Sequence, residues 1–407
     1  MSPRIAMLSL HTSPGARPGS GDVGGMNVVI RELTAQLHAS GCDVEILTRR
    51  ADPDVPDVVE LDGGVRLRSI TAGPPRVLPK REHEALVTEF GRQLLAGPRY
   101  DLVHAHHWYS GLAAGPAVER WQVPLVQSFH SIAAPAHTEL GEGERPESPG
   151  RLPAEADLAG RADALLAVST AEARTIVERL GAAPDRVHVV PPGVDTMRFR
   201  PHTGPPPRAV ERDRRGRDYL LVAARLEPLK GVDLAIETLA GLEPATAPDL
   251  VICGGATAGE EEYVQELHRL VAARGLQDRV RFLQPQERDD LAALMAGALL
   301  VLAPSHSETY GLTALEAAAS GVPVVAAASG GLVEAVLDGE TGTVLTSREP
   351  RVWAGAVASL LAEPAARARM GRAGRAHAER HTWARMAEGT LAVYERLLAR
   401  SGAPGGA

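Results

Sequence analysis

Residues 305–316 read Ser-His-Ser-Glu-Thr-Tyr-Gly-Leu-Thr-Ala-Leu-Glu, which sets Glu308 and Glu316 eight residues apart. Glu308 falls in a loop and Glu316 in the second turn of the helix that this loop opens. Ionised carboxylates accept hydrogen bonds from hydroxyl groups, and the amides of Tyr310, Gly311 and Leu312 at the helix start suit phosphate oxygens. No lysine or arginine occurs from residue 289 to 347, so nothing nearby in the sequence neutralises either acid. A general acid and base pair would be another use of two carboxylates. Glycoside cleavage requires them opposed across the scissile bond, and this spacing does not show that placement.

A second run, residues 224–231, reads Ala-Arg-Leu-Glu-Pro-Leu-Lys-Gly. It puts Arg225 at the end of an apolar strand pattern and Lys230 beside the following helix start. A forked guanidinium and a compact ammonium suit a sugar-nucleotide diphosphate, whose negative charge grows as the bond to it breaks. A third run ends the Gly-rich loop 11–25 in Gly24-Gly25-Met26-Asn27, with a helix following at once. Paired glycines let the backbone approach a ligand, and the helix start offers free amides to a phosphate. This is not G-x-G-x-x-G with an acid about 20 residues on, so a nicotinamide cofactor is disfavoured. His104, His106 and His107, then His130 and Ser131, lack the carboxylate or cysteine spacing of a metal site. They read as strand-end residues lining a ligand site, and no metal or other cofactor is expected.

The background makes these residues stand out. Of 43 basic residues 41 are arginine; Lys80 and Lys230 are the two lysines, and Asn27 is the one asparagine. That depletion is the mark of a G+C-rich coding sequence. Surface lysine drifts to arginine cheaply under such pressure, but a site needing a point ammonium cannot accept the exchange.

The elements that must position these residues alternate strand and helix throughout. Short apolar, β-branched runs occur at 4–10, 43–48, 65–70, 101–106, 124–130, 164–169 and 187–190, then at 218–226, 249–253, 280–283, 299–303, 323–327 and 343–345. Amphipathic segments such as 28–39, 171–180 and 263–273 lie between them. Runs apolar on both faces are buried parallel strands, and strand–helix alternation builds βαβ units. The fold class is α/β: two Rossmann-like, doubly wound domains facing a central cleft, where such folds bind ligands. The Pro- and Arg-rich stretch 201–217 reads as a linker, giving an acceptor-binding domain at 1–200 and a donor-binding domain at 201–383. The helix at about 384–400 is free to return to the first domain, and 401–407 reads as a disordered tail.

A net charge of −8 argues against nucleic-acid partners, and no apolar run reaches bilayer-spanning length. Cys42 and Cys253 form neither a disulfide framework nor a metal motif. The start of the chain has no signal-peptide layout, so a cytoplasmic protein is expected, with a homodimer as the protein partner to consider.

Together the Gly24–Asn27 GGMN, the R-x4-K of Arg225 and Lys230, the E-x7-E of Glu308 and Glu316, the PPGVD at 191–195 and the SGG at 329–331 resemble the retaining GT-B glycosyltransferases of family 4 over almost the whole chain. Within that family the chain most resembles the mycothiol-pathway enzymes that move N-acetylglucosamine from UDP-GlcNAc to inositol 1-phosphate. The resemblance implies that Arg225 and Lys230 bind the diphosphate, Glu308 a donor-sugar hydroxyl and Glu316 the ribose, with His130 beside the reacting sugar. It implies an acceptor phosphate held by Lys80 and Arg151, with Asn27, His107 and Ser131 completing the pocket. Ser131 stands where that group has Thr, His107 where it has Tyr, and Tyr310 where Phe is usual. A Lys-Asn pair is missing after His130. A transferase of specialised metabolism with another acceptor, or a GDP-sugar donor, is therefore the alternative. A nucleotide-sugar epimerase and a non-catalytic sugar-binding protein are the readings from other classes.

Overall fold

The computed structural model describes residues 2–16, 24–201, 218–245, 247–256, 259–400 and 402. Most of the linker and tail, and residues 17–23 of the Gly-rich loop, lie outside them. The chain forms two compact units.

The first unit runs to Pro192 and resumes at Trp383. Its sheet contains β1 (Arg4–Ser9), β2 (Asp43–Arg49), β3 (Val58–Glu60), β4 (Arg66–Ile70), β5 (Leu102–His106), β6 (Leu125–Ser128), β7 (Ala164–Ala167) and β8 (Val187–Val189). The spatial order is β3-β4-β2-β1-β5-β6-β7-β8. Every pairing is parallel except β3 with β4. Helices cover the faces, and Ile5, Met7, Leu8, Val103 and Phe90 are fully buried. Such burial stabilises by roughly 1.5–3 kcal/mol per side chain. The final helix, Trp383–Arg400, packs against the helix Gly25–Ala39 of this unit.

The second unit, Gly193–Thr382, contains β9 (Tyr219–Ala223), β10 (Asp249–Cys253), β11 (Val280–Leu283), β12 (Leu300–Ala303), β13 (Val324–Ala327) and β14 (Gly342–Leu345). These form an all-parallel sheet in the order β11-β10-β9-β12-β13-β14. The boundary between the units falls at 192/193, not at the 200/201 read from the linker. The reason is a set of backbone ties: Val194 N–H donates to His381 O at 2.9 Å, and Arg375 Nη1 binds the carbonyls of Thr196 and Phe199, each at 2.9 Å.

Both sheets reverse strand order at a central pair, β1/β5 in the first and β9/β12 in the second. Ligands of doubly wound sheets bind beyond the carboxyl ends of strands at such points. In the first unit Asn27 follows β1 and His107 follows β5, and in the second Arg225 and Lys230 follow β9 while Glu308 and Glu316 follow β12.

Candidate functional site

In the second unit the chain leaves β9 through Arg225 into a 3-10 turn, Pro228–Lys230, and enters the helix Val232–Ala240. Gly231 links turn and helix at φ +61°, and a Cβ there would lie 2.3 Å from Pro304 O. Only glycine permits both the left-handed backbone and that approach. The turn is thus seated on the loop after β12, where His306 N–H donates to Leu229 O at 2.8 Å. This brings Lys230 Nζ to 2.7 Å from Glu308 Oε2, across 78 residues of sequence. Arg225 Nη2 pairs with Glu227 Oε1 at 3.0 Å.

Glu308 is also held through its backbone. Gly330 has φ +49°, its Cβ would meet Glu308 O at 2.0 Å, and Gly331 N–H donates to that same carbonyl at 2.8 Å. The SGG run is therefore the cradle of the carboxylate loop. Gly311, at φ +104°, starts the helix Leu312–Ala319, which carries Glu316 on its second turn. Glu316 is buried and pairs with Arg288 Nη1 at 2.6 Å. Arg288 stands one residue outside the arginine-free interval, and its guanidinium lies over the Phe199 ring. Both acids thus have cationic partners that adjacent sequence did not disclose. The Tyr310 side chain is packed inside, at 3% exposure, so that this residue offers a ligand its backbone only.

In the first unit the strand ends collect a different chemistry. His11 and Thr12 follow β1, His106 ends β5 with His107 next, and His130 and Ser131 follow β6. Gly24 caps the helix that carries Asn27, whose Oδ1 accepts from Thr12 Oγ1 at 3.1 Å. Asn27 Nδ2 and both ring nitrogens of His107 are buried without a partner among the described residues. Among the described residues, positive φ outside glycine occurs at His107 (68°), Gln122 (56°) and His130 (61°). Two of these three belong to the candidate site, where a cost of about 1–3 kcal/mol per residue is tolerated for placement.

Lys80 and Arg151 come together as expected, but not alone. Lys80 Nζ lies 2.6 Å from Glu144 Oε1 and 3.8 Å from Glu147 Oε2. Arg151 is fully buried and donates through Nε to Glu155 at 2.8 Å, through Nη1 to Glu147 at 2.6 Å, and through Nη2 to Ser131 Oγ at 2.9 Å and Glu144 at 3.3 Å. Trp108 Nε1–H donates to Glu147 at 2.7 Å, and His107 Nε2 stands 4.0 Å from it. Burial would raise the Glu144 and Glu147 carboxyls, but Lys80 and Arg151 outweigh it and hold both below the usual carboxylate range. Burial wins at Glu155, which is pushed up. Glu144 and Glu147 escaped sequence reading because they lie in the Gly/Glu/Pro-rich stretch 141–150, and Glu155 because it is one polar residue of the helix that follows; the spacing of Glu147, Arg151 and Glu155 by four was the available signal.

Burial holds His11, His104, His106, His107 and His130 below the ordinary histidine value, which favours their neutral form. Burial, then His11, Lys80 and Arg151, depresses His107 well below its ordinary value. Burial takes His130 down to about 4 and, helped by His130, takes His104 to about 3. Among the described residues no cluster of His, Cys, Asp and Glu has the makings of a metal site.

Residues 23–198 match the family model "Glycosyltransferase Family 4", and residues 207–377 match "Glycosyl transferases group 1". A protein of Salinispora arenicola named D-inositol 3-phosphate glycosyltransferase is 42% identical, over 98% of this chain and 93% of its own. Its namesake in Kineococcus radiotolerans is 41% identical, over 99% and 98%. Among solved structures, sucrose-phosphate synthase from Thermosynechococcus elongatus superposes with a TM-score of 0.89 at 27% identity, covering 98% of this chain and 100% of that one. The Anabaena protein HepE, in complex with UDP and glucose, has a TM-score of 0.79 at 23% identity, covering 97% and 100%, a likeness of fold.

Proposed function

This chain belongs to the glycosyltransferases of family 4, with their GT-B fold, and we propose that it moves N-acetylglucosamine from UDP-N-acetylglucosamine to inositol 1-phosphate with retention at the anomeric carbon. The observation that carries the reading is the meeting of Lys230 with Glu308, 2.7 Å apart. One side chain suits the leaving diphosphate and the other a hydroxyl of the sugar attached to it, so their junction marks the bond to be broken.

In this reading the second unit binds the donor and the first the acceptor. Arg225 and Lys230 neutralise the diphosphate as the bond from its oxygen to C1 breaks. The amides of Tyr310, Gly311 and Leu312 take its oxygens, Glu308 holds a sugar hydroxyl and Glu316 the ribose. An acceptor hydroxyl forms the new bond to C1 on the face the phosphate leaves, and the departing phosphate takes its proton. The family resemblance assigns His130 to the reacting sugar, and Gly24, Gly25 and Asn27 to substrate binding. These cations supply the charge that a divalent ion gives other transferases. Turnover is therefore expected to persist in excess chelator; a complete loss restored by metal would contradict this.

In the first unit an acceptor phosphate takes the place of Glu144 on Lys80. Glu144 is the most exposed of the three acids there, with 24% of its side chain open against 10% for Glu147 and none for Glu155. Lys80→Ala should raise KM for inositol 1-phosphate about tenfold or more and leave donor hydrolysis unchanged, as loss of ground-state binding does. Unchanged KM would remove Lys80 from the acceptor site. Three carboxylates around two cations favour a second reading, in which the acceptor is a neutral or zwitterionic polyol. Nucleotide release, measured with UDP- and GDP-sugars against phosphorylated and unphosphorylated cyclitols, tests both. Release that needs inositol 1-phosphate supports the first reading; release with an uncharged acceptor alone supports the second.

A further inference from the structure

The proposed reaction uses His130 but leaves the role of its neighbour open. His106 ends β5, one strand away from His130, and is 1% exposed. Its Nδ1 lies 2.7 Å from His130 Nε2, with the ring centroids 5.0 Å apart and the planes 25° from parallel, so the rings meet edge to edge. We propose that His106 is a positioning residue that donates from Nδ1 to His130 Nε2, fixing the His130 proton on Nδ1 and making that ring a hydrogen-bond donor, not a base, in the transfer.

The assignment follows from counting protons. Burial keeps both rings neutral at pH 7, with His104 and His130 adding to the effect at His106. Each ring then carries one proton, and a 2.7 Å contact between two ring nitrogens requires one proton between them. Two arrangements satisfy this. In one, His130 donates from Nε2, and the His106 proton moves to its own Nε2. That atom is buried with no partner among the described residues, so an N–H would be orphaned there. In the other, His106 donates from Nδ1, and its Nε2 is a bare nitrogen. Orphaned buried N–H groups are rarer than under-satisfied acceptors, which selects the second arrangement.

The next histidine cannot disturb the choice. The His104 ring is held at both nitrogens, by Tyr394 Oη at 2.6 Å and Ser128 Oγ at 2.9 Å. With Nε2 of His130 already accepting, that ring has no lone pair for an acceptor hydroxyl proton. The proton goes to the departing phosphate instead, so the mechanistic part of the inference rests on the transferase reading above.

Ring ¹⁵N NMR of the full-length labelled wild type at pH 7 tests the tautomer, with His130 assigned by its loss in His130→Gln. A neutral His130 protonated at Nδ1 is expected; protonation at Nε2, or an imidazolium, overturns the proposal. This measurement needs no turnover, so its failure is distinct from failure of the transferase assignment. Kinetics then test the positioning role. The side-chain amide of Asn can donate from near the Nδ1 place, whereas the amide of Gln lies nearer the Nε2 place. His106→Ala and His106→Gln should lose about tenfold to a hundredfold in kcat with donor KM little changed, the scale seen for groups that orient a working histidine. His106→Asn should recover most of that loss. Equal losses in Asn and Gln, or full turnover in Ala, overturn it.

Discussion

Lys230→Ala is expected to lower kcat roughly a hundredfold to a thousandfold in a protein that still folds. Removing one preorganised donor from a developing charge costs about 2.7–4 kcal/mol of transition-state stabilisation. The structural cost is smaller. Lys230 and Glu308 are 16% and 22% exposed at their side chains, so the pair is partly solvated and worth on the order of 1 kcal/mol or less to folding. Catalysis therefore suffers more than stability, and kcat set beside the thermal midpoint separates the two. Lys230→Arg should rescue poorly, because a planar guanidinium fork is not equivalent to the compact ammonium that meets Glu308 Oε2. Near-wild-type turnover in folded Lys230→Ala would remove the role.

Arg151→Met should do the reverse and strike stability first. Arg151 is fully buried among Glu144, Glu147 and Glu155, and removing one partner from a buried charged cluster costs about 3–5 kcal/mol. The loss should depend on pH in a way that identifies its cause. Glu144 and Glu147 have depressed folded-state values, so their contribution is full above the unfolded value of about 4.3 and is lost as pH falls through the folded values. Without Arg151 those carboxyls lose a cation that lowers them, and Glu155 loses the neighbour that opposes its upward shift. The stability gap between wild type and variant should be widest at neutral pH and narrow toward pH 4 in chemical denaturation. A constant gap would show that packing volume, not charge, is what Arg151 contributes.

Most strands were legible as short runs rich in apolar residues between helical patterns, as at 299–303 and 249–253. The exception, β3, is three residues long, antiparallel at the sheet edge, and set among Asp and Pro at 52–57, which mask it. Gly24–Asn27, Arg225 with Lys230, and Glu308 with Glu316 were legible because each sits where a strand end meets a helix start. What stayed hidden was pairing. Lys230 meets Glu308 across 78 residues, and Lys80 meets Glu144 across 64. Periodicity cannot report contacts that depend on strand order. The same holds for His106 and His130, which lie on neighbouring strands and read in sequence as two unrelated histidines.

The most direct test of the central claim is the anomeric configuration of the product. The purified protein, UDP-N-acetylglucosamine and inositol 1-phosphate are incubated, and the product is examined by proton NMR through the coupling at its sugar C1. The account predicts one UDP released per sugar transferred and an α linkage, as in the donor. A β linkage, or no transfer to any cyclitol from any nucleotide-sugar, would contradict it.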